Sequence, residues 1–273
     1  MRFVAPAREA VDATVFSRPP LRQWSEYDTL LRGARWPAID ALNLHAQHCA
    51  REKTPHFVAQ TPALLADGLH YEQRIAECGV IATRERNWHD LLNALVWLQF
   101  PALKAALNAR QATEIAHIGT KQRTRAQCAL THFDEAGVVV CVRDAALLAL
   151  WDAHDWHGLF WRERAAWSDG RINATVFGHA LLEHALVPGQ LLVGKALAVL
   201  QSGNGENVAL PYVAESIARA AVLRDPQELR PLPLSGIPGW HTDSVDEAFY
   251  AQAPCFCPRR AGRSYPPPLV LPS

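Results

Sequence analysis

Residues 83–100 are TRERNWHDLLNALVWLQF, the strongest helical pattern in the chain. The first half is polar and residues 94–100 are almost all apolar, which predicts a helix whose second half is buried on most sides. Thr83 is the expected N-terminal cap, and Pro101 predicts that a second helix over residues 102–116 follows directly. This helix is therefore expected at the centre of the fold. Its residues expected to be buried are Trp88, Leu92, Leu95 and Trp97.

Outside this pair of helices, one segment has a β pattern. Residues 128–133 and 138–142 are β-rich runs on either side of Asp134-Glu135-Ala136-Gly137, which predicts an antiparallel hairpin with Asp134 and Glu135 as turn residues. The remaining apolar segments mostly have helical spacing. The further predicted helices are 39–49, 69–77, 145–154, 156–167, 173–187, 191–200 and 212–223.

These patterns predict a mainly α-helical fold with one small antiparallel β-hairpin, in a single compact helical domain. Residues 1–20 end in two prolines and are expected to form an extended N-terminal arm before a helical domain over residues 21–225. Ten of the 19 prolines fall in residues 226–273, where regular helix cannot persist. We expect this proline-rich C-terminal segment to pack on the same domain.

Composition excludes several classes of function. The chain of 273 residues has 27 Lys and Arg residues and 27 Asp and Glu residues, so its formal net charge is zero. No overall positive field therefore attracts nucleic acid or an anionic membrane. The longest apolar runs are about half of the ~20 residues that cross a bilayer, so no membrane insertion is expected. The six cysteines form no C-x-x-C pair and no secretory segment precedes them, which predicts a cytoplasmic protein. The oligomeric state is left open.

The first candidate site lies in the polar half of the central helix. His89 and Asn93 are four residues apart, and Arg86 and Asp90 form an adjoining stripe, so imidazole, carboxylate and amide leave one face of the helix. One interpretation is a buried hydrogen-bond network that ties the helix to a loop. The other is a catalytic site with His89 as base or metal ligand and Asp90 or Arg86 beside it.

The second candidate site is the pair His179 and Glu183, which also lie four residues apart in a predicted helix. It is not the H-E-x-x-H zinc motif, because a glutamate stands where the second histidine belongs and His184 points about 100° away. A core histidine oriented by a glutamate is the structural interpretation. The functional one is a divalent metal ion held by His89, His179 and Glu183.

Two weaker patterns also carry potential metal ligands. His154 and His157 have an H-x-x-H spacing at a predicted helix junction, where histidines also act as caps. Cys255 and Cys257 are one residue closer together than a zinc knuckle requires, with no second pair to complete four ligands.

The segments around the first two sites resemble a bacterial family, domain of unknown function 3025. The residues that carry the resemblance begin with Tyr71-Glu72-Gln73-Arg74-Ile75 and W-H-D-x-x-N-A-L-x-W over residues 88–97. Further matches are Phe133-Asp134-Glu135-Ala136-Gly137, residues 177–183 and Gly236-Ile237-Pro238-Gly239-Trp240. The similarity spans residues 21–260 and implies a shared fold and site without naming a reaction. Cys255-Phe256-Cys257-Pro258 departs from the arginine-containing ending expected there.

Two classes of function follow. The first is a small-molecule hydrolase or lyase, metal-assisted or not, that uses His89, Asp90, Arg86, Asn93 and Glu183. The second is a non-catalytic binding protein in which these groups are structural and the aromatic residues 151–167 bind a partner or an apolar ligand. Convergence of His89 with His179 and Glu183 around an open pocket would favour the enzyme.

Overall fold

The computed structural model describes residues 3–49, 55–201 and 209–271. None of the helices in these ranges combines the length and apolar character needed to cross a membrane. The helices are α1 Asp28–Leu31, α2 Ile39–Cys49, α3 Pro62–Leu65, α4 Tyr71–Cys78, α5 Trp88–Gln99, α6 Pro101–Ile118, α7 Arg125–Ala136, α8 Ala145–Ala153, α9 Arg164–Ser168, α10 His179–His184, α11 Ala209–Ala218 and α12 Phe249–Gln252. The strands are β1 His56–Ala59, β2 Val80–Thr83, β3 Gly137–Val142, β4 Ile172–Val176, β5 Val193–Leu200, β6 Arg230–Pro233 and β7 Leu269–Val270.

Strand β3 lies inside the larger sheet, whose order is β4-β3-β5-β6, with β7 also paired to β5. It runs antiparallel to β4 and parallel to β5, while β5 is antiparallel to β6 and parallel to β7. Every residue of β3 is buried, as expected of a continuous apolar run covered on both faces. A smaller sheet pairs β1 with β2 in parallel.

The predicted fold class, a mainly α-helical single domain with one antiparallel hairpin, is wrong. The described residues form a five-stranded mixed sheet and a two-stranded parallel sheet. Residues 128–133, the predicted first strand of the hairpin, are helical and belong to α7. This helix continues to Ala136 and β3 begins at Gly137, so Asp134 and Glu135 are helical residues rather than turn residues.

Thr124 explains why residues 128–133 are helical. Its hydroxyl accepts a hydrogen bond from the backbone N–H of Gln127, and the Gln127 side chain accepts one from the backbone N–H of Thr124. This reciprocal capping box starts α7. The β propensity of residues 128–133 cannot compete with this cap, because β-prone residues stabilise a strand only when they pack against a neighbouring strand.

Three other predicted elements differ in the structure. Residues 191–200 contain β5 instead of a helix, because β5 pairs with β3 along six residue positions. Residues 173–187 contain the end of β4 and the short helix α10. The central helix begins at Trp88 rather than Thr83, which ends β2, and the Asn87 side chain caps it by accepting from the N–H of Asp90.

The central helix itself is confirmed. Trp88, Leu92, Leu95 and Trp97 are all buried. Helix α5 packs against α2, α6, α10 and β2, so its apolar second half meets the protein on several sides. The second helix, predicted over residues 102–116, is α6, which begins one residue earlier at Pro101 because a proline at the first position loses no helical hydrogen bond.

The described segments near both ends of the chain pack on this body. Near the N-terminus, short 3-10 helices span Arg8–Ala10 and Ala13–Ser17, and the indole N–H of Trp88 donates to the carbonyl of Pro6. Near the C-terminus, β6 and β7 extend the larger sheet. The division into an N-terminal arm, a body over residues 21–225 and a C-terminal segment stays a prediction.

Replacing Trp97 by Ala is expected to lower the free energy of unfolding by about 3–5 kcal/mol, because a fully buried aromatic side chain leaves a cavity. Urea denaturation followed by circular dichroism measures this change. Val245, whose side chain is 74% exposed, provides the control: Val245→Ala should change the value by less than about 0.5 kcal/mol. A loss below about 1 kcal/mol for Trp97→Ala would contradict the central position of α5.

Candidate functional site

Three helices bring their ends together at one wall of a cavity. His89 is the second residue of α5, His179 is the first residue of α10, and Glu135 is next to the last residue of α7. Helix α10 packs against both α5 and α7. One potential ligand atom from each of these three side chains lies within 4.8 Å of the others. We call His89, His179 and Glu135 the His–His–Glu cluster.

The potential ligand atoms of the cluster face one another. Nε2 of His89 is 3.0 Å from Nε2 of His179. Oε2 of Glu135 is 3.6 Å from Nε2 of His179 and 4.0 Å from Nε2 of His89. Ligands of one tetrahedral zinc ion, with bonds near 2.0–2.1 Å, are about 3.3 Å apart. The cluster therefore has nearly the spacing of three ligands on one ion, and the Glu135 side chain, 42% exposed, has room to rotate.

Glu183 lies behind His89 rather than in the cluster. Nδ1 of His89 is 3.1 Å from Oε2 of Glu183, and since a carboxylate only accepts, the imidazole donates. This hydrogen bond raises the pKa of His89 against the opposing effect of burial. With its proton on Nδ1, the neutral imidazole presents the Nε2 lone pair to the cluster. Glu183, predicted as a metal ligand, thus occupies the position of the carboxylate that orients a metal-bound histidine.

His179 is buried and neutral. Burial lowers its pKa to about 3, despite the opposing charge of Asp134. Its Nδ1 atom makes no hydrogen bond of normal geometry within the described residues and lies 3.9 Å from Oδ2 of Asp134. Nε2 is the nitrogen of His179 that faces His89. A neutral imidazole with its proton on Nδ1 presents an Nε2 lone pair, which can bind a metal ion or accept a proton.

A buried ion pair lies beside His179. Nζ of Lys104 donates to Oδ1 of Asp134 at 2.7 Å and to Oδ1 of Asn93 at 2.8 Å. Burial alone would raise the pKa of Asp134, but the charge of Lys104 and the hydrogen bond from its ammonium group lower that pKa. The Asp134 carboxylate therefore stays ionised next to the ammonium group.

The β3–β4 pairing and two glycines bring Glu135 and His179 together. Val138 pairs with Val176 in the antiparallel ladder, and Glu135 and His179 each lie three residues beyond that pair. The N–H of Gly178 donates to the carbonyl of Gly137 at 2.8 Å. A Cβ on Gly178 would lie 2.4 Å from the backbone nitrogen of Gly137. The end of α7 and the start of α10 can therefore approach this closely only without a side chain at position 178.

The cluster lines a polar cavity of about 330 Å³ that is open to solvent. Among the described residues around it, only Ala82 and Ile115 have apolar side chains. Tyr71, Glu72 and Asn93 line the same cavity. A cavity of this size fits a small molecule, and its lining offers hydrogen bonds rather than an apolar surface.

The other residues predicted beside His89 have different positions. Oδ2 of Asp90 accepts from the backbone N–H of Arg84 at 2.6 Å, and Oδ1 accepts from the Arg84 guanidinium at 2.7 Å, which ties the end of β2 to α5. Arg86 is exposed in the turn before α5 and does not line the cavity. Asp90 and Asn93 both line it, and the Asn93 amide contacts Lys104 and Tyr71.

The predicted His154 and His157 pair does not converge on one site. His154 Nε2 is 2.8 Å from the hydroxyl of Tyr265, whereas His157 Nε2 is 2.7 Å from a carboxylate oxygen of Glu247. Each imidazole therefore has its own partner. Cys255 and Cys257 join no group of metal ligands among the described residues.

The sequence patterns missed Glu135, Asp134 and Lys104 as site residues. The predicted hairpin places Glu135 and Asp134 in its turn. The Thr124-Arg125-Ala126-Gln127 capping box is the signal that extends a helix to them. No local signal points to Lys104, because its acceptors lie 11 and 30 residues away in the sequence.

A model for a family described as "Protein of unknown function (DUF3025)" matches residues 55–260. The chain belongs to this family. The match to DUF3025 includes the whole His–His–Glu cluster. It starts at residue 55 rather than at residue 21, the predicted start of the similarity. Comparisons with curated proteins and with solved structures give no match. DUF3025 membership names no reaction, so function has to be inferred from the site.

Replacing Gly178 by Ala is expected to separate α10 from α7 and to lower the free energy of unfolding by about 1–3 kcal/mol, because the added Cβ meets backbone atoms. Thermal and urea denaturation measure this. Ala180→Gly, inside α10 and two residues after Gly178, is the control for altered helix propensity and should cost about 1 kcal/mol. An unchanged stability in Gly178→Ala would mean that the close approach is not required.

Glu72 adds a titrating carboxylate to the cavity. Its Oε2 atom accepts from Nδ2 of Asn108 at 2.6 Å. Burial raises the pKa of Glu72 to about 7, from 4.5 for a free glutamate, and the charge of Asp134 acts in the same direction. Ionisation of Glu72 therefore disfavours the folded state: the penalty is absent below pH 4.5, grows up to about pH 7 and is constant above it.

Replacing Glu72 by Gln is expected to raise the free energy of unfolding near pH 8 by about 1–2 kcal/mol and to leave it unchanged near pH 4. Glutamine keeps an acceptor for Asn108 and removes the ionised group. Urea denaturation at the two pH values measures the difference. Glu77→Gln, at an exposed position of the same helix, is the control. Equal gains for Glu72→Gln at both pH values would exclude ionisation as the cause.

Proposed function

We propose that this chain is a metal-dependent hydrolase that acts on a polar small molecule in the cavity beside the His–His–Glu cluster. The observation that carries the proposal is the convergence of His89, His179 and Glu135, whose ligand atoms lie within 4.8 Å of one another. Two imidazoles and one carboxylate form the ligand set of many catalytic zinc sites, which keep a fourth position for water or substrate. The adjoining cavity supports this reading because it offers room for that fourth group.

In this proposal His89 and His179 bind the ion through Nε2 and Glu135 binds it through a carboxylate oxygen. Glu183 orients His89 through the Nδ1 hydrogen bond, so it supports the ligand set instead of belonging to it. Asn93 lines the cavity next to the cluster and donates a hydrogen bond to the hydroxyl of Tyr71.

Asp90 and Arg86, the sequence-predicted partners of His89, have no part in this proposed reaction. Asp90 is occupied by Arg84, and its charge is therefore committed to a structural ion pair. Arg86 lies outside the cavity lining.

The chemistry that an ion supplies here is activation of water. Coordination lowers the pKa of a bound water to about 7, so hydroxide forms at neutral pH and its proton passes to solvent. The hydroxide oxygen bonds to an electrophilic carbon or phosphorus atom, the bond to the leaving group breaks, and the leaving group takes a proton from solvent. One water is consumed for each bond cleaved. We favour hydrolysis over the lyase alternative because this site would hold water next to the substrate.

A non-catalytic binding protein is the second candidate, and one observation favours it. Polar groups of the cavity bond to one another, as Lys104 does with Asp134, which is also what a structural network does. Burial argues against the predicted binding of a partner or an apolar ligand by the aromatic residues 151–167. Trp151, Trp156 and Phe160 lie in the core, where they cannot contact another molecule. Metal binding separates the two candidates.

The proposal includes a cytoplasmic location and a small-molecule ligand. Five cysteines are free thiols, which is the state that the cytoplasm maintains: Cys78, Cys128, Cys141, Cys255 and Cys257. The balanced charge of the chain favours a small molecule over nucleic acid as the ligand.

The test is a Zn²⁺ titration of chelator-treated protein by isothermal calorimetry. We expect one ion per chain, at least a hundredfold weaker binding in His89→Ala and His179→Ala, and about 10–100-fold weaker binding in Glu183→Ala, which loses the orienting acceptor. Hydrolysis of a panel of p-nitrophenyl esters and phosphates should stop with chelator and return with Zn²⁺.

His154→Ala is the matched control, because this histidine is hydrogen-bonded to Tyr265 away from the cluster. Circular dichroism establishes that each variant is folded. Absence of stoichiometric binding, or an equal loss of affinity in His154→Ala, would contradict the metal site and favour the structural network.

A further inference from the structure

We propose that Tyr71 donates the hydrogen bond that stabilises the oxyanion formed during hydrolysis; this inference rests on the proposed function. Tyr71 is the first residue of α4 and lines the cavity together with His89, His179 and Glu135. Neither the sequence patterns nor the family description gives it a role.

The direction of the hydrogen bonds behind Tyr71 is fixed by a charge. The ammonium group of Lys104 has no acceptor capacity, so the Asn93 atom that it contacts at 2.8 Å must be the amide oxygen. The amide nitrogen of Asn93 therefore faces Tyr71 and donates to its hydroxyl oxygen, also at 2.8 Å. The hydroxyl oxygen of Tyr71 accepts, which leaves its own proton available for another acceptor.

That proton is free to point into the cavity. Within the described ranges, the Tyr71 hydroxyl makes no other hydrogen bond. Burial raises the pKa of Tyr71, and the charge of Glu72 acts in the same direction, so the phenol stays protonated at neutral pH and above. The positive charge of Lys104 at the far end of the chain polarises both hydrogen bonds and strengthens Tyr71 as a donor.

Helix α5 carries one residue of the cluster and one residue of this donor chain. Asn93 follows His89 by four residues on α5, so the amide that orients Tyr71 lies one turn from a cluster imidazole. Lys104 is 4% exposed and also bonds Asp134, next to Glu135 in α7. The Tyr71 hydroxyl and the proposed ion are therefore held by helices that are fixed to one another. Such a fixed arrangement is what preorganised stabilisation of an oxyanion requires.

The step that Tyr71 assists is addition of hydroxide to a carbonyl or phosphoryl centre. The oxygen of hydroxide forms the new bond, and the π electron pair of the C=O or P=O bond moves onto its oxygen. Tyr71 donates a hydrogen bond to this negative oxygen and keeps its proton. The pair returns when the bond to the leaving group breaks, so the tyrosine is unchanged over the reaction.

The experiment measures inorganic phosphate, a tetrahedral oxyanion, binding to Zn²⁺-loaded protein in a double-mutant cycle. Tyr71→Phe should weaken phosphate affinity about tenfold and leave Zn²⁺ affinity unchanged. Asn93→Asp keeps an acceptor for Lys104 but replaces the amide donor by a carboxylate, which accepts from the Tyr71 hydroxyl and withdraws its proton from the cavity. In the Asn93→Asp background, Tyr71→Phe should therefore cost nothing.

Gln122→Ala, an exposed position of the same cavity, is the control and should change phosphate affinity less than twofold. If wild-type protein fails to bind Zn²⁺, the proposed function is overturned together with the inference that rests on it. If Zn²⁺ binds but phosphate does not, or Tyr71→Phe leaves phosphate affinity unchanged, the inference about Tyr71 is overturned and the metal site stands. An equal loss from Tyr71→Phe in both backgrounds also overturns it, because the donor would then not depend on Asn93.

Discussion

One buried ammonium group organises the helices around the cavity. Lys104 is 4% exposed, and an unpaired charge at that depth would cost several kcal/mol. Its acceptors come from two other helices, Asn93 on α5 and Asp134 on α7. Pairing this charge therefore fixes α6 against both helices and places a carboxylate beside His179.

Two charged groups set the direction of the hydrogen bonds at the site. Lys104 can only donate, so it orients the Asn93 amide and, through it, the Tyr71 hydroxyl. The Glu183 carboxylate can only accept, so it fixes the proton of His89 on Nδ1 and turns Nε2 toward His179. A donor and a lone pair thus face the same cavity with defined orientations.

The larger sheet supplies the remaining constraint. Helix α7 leads directly into β3, and β4 leads into α10, so the antiparallel pairing of β3 with β4 determines the separation of Glu135 from His179. The parallel pairing of β3 with β5 buries β3 from the other side. The pocket is therefore anchored by a sheet that the local patterns did not predict.

Local sequence determined the parts of this protein that depend on neighbours within a few residues. Helical periodicity and capping account for helix α5 and for a second helix directly after it. They also place His89 with Asn93, and His179 with Glu183, four residues apart on one helix face. Only the tertiary structure decided that residues 193–200 form β5, that Glu135 joins the cluster and that Glu183 turns to His89. The physical reason is distance along the chain. His89 lies 90 residues from His179 and 94 residues from Glu183, and contacts over such distances form only when separate elements pack.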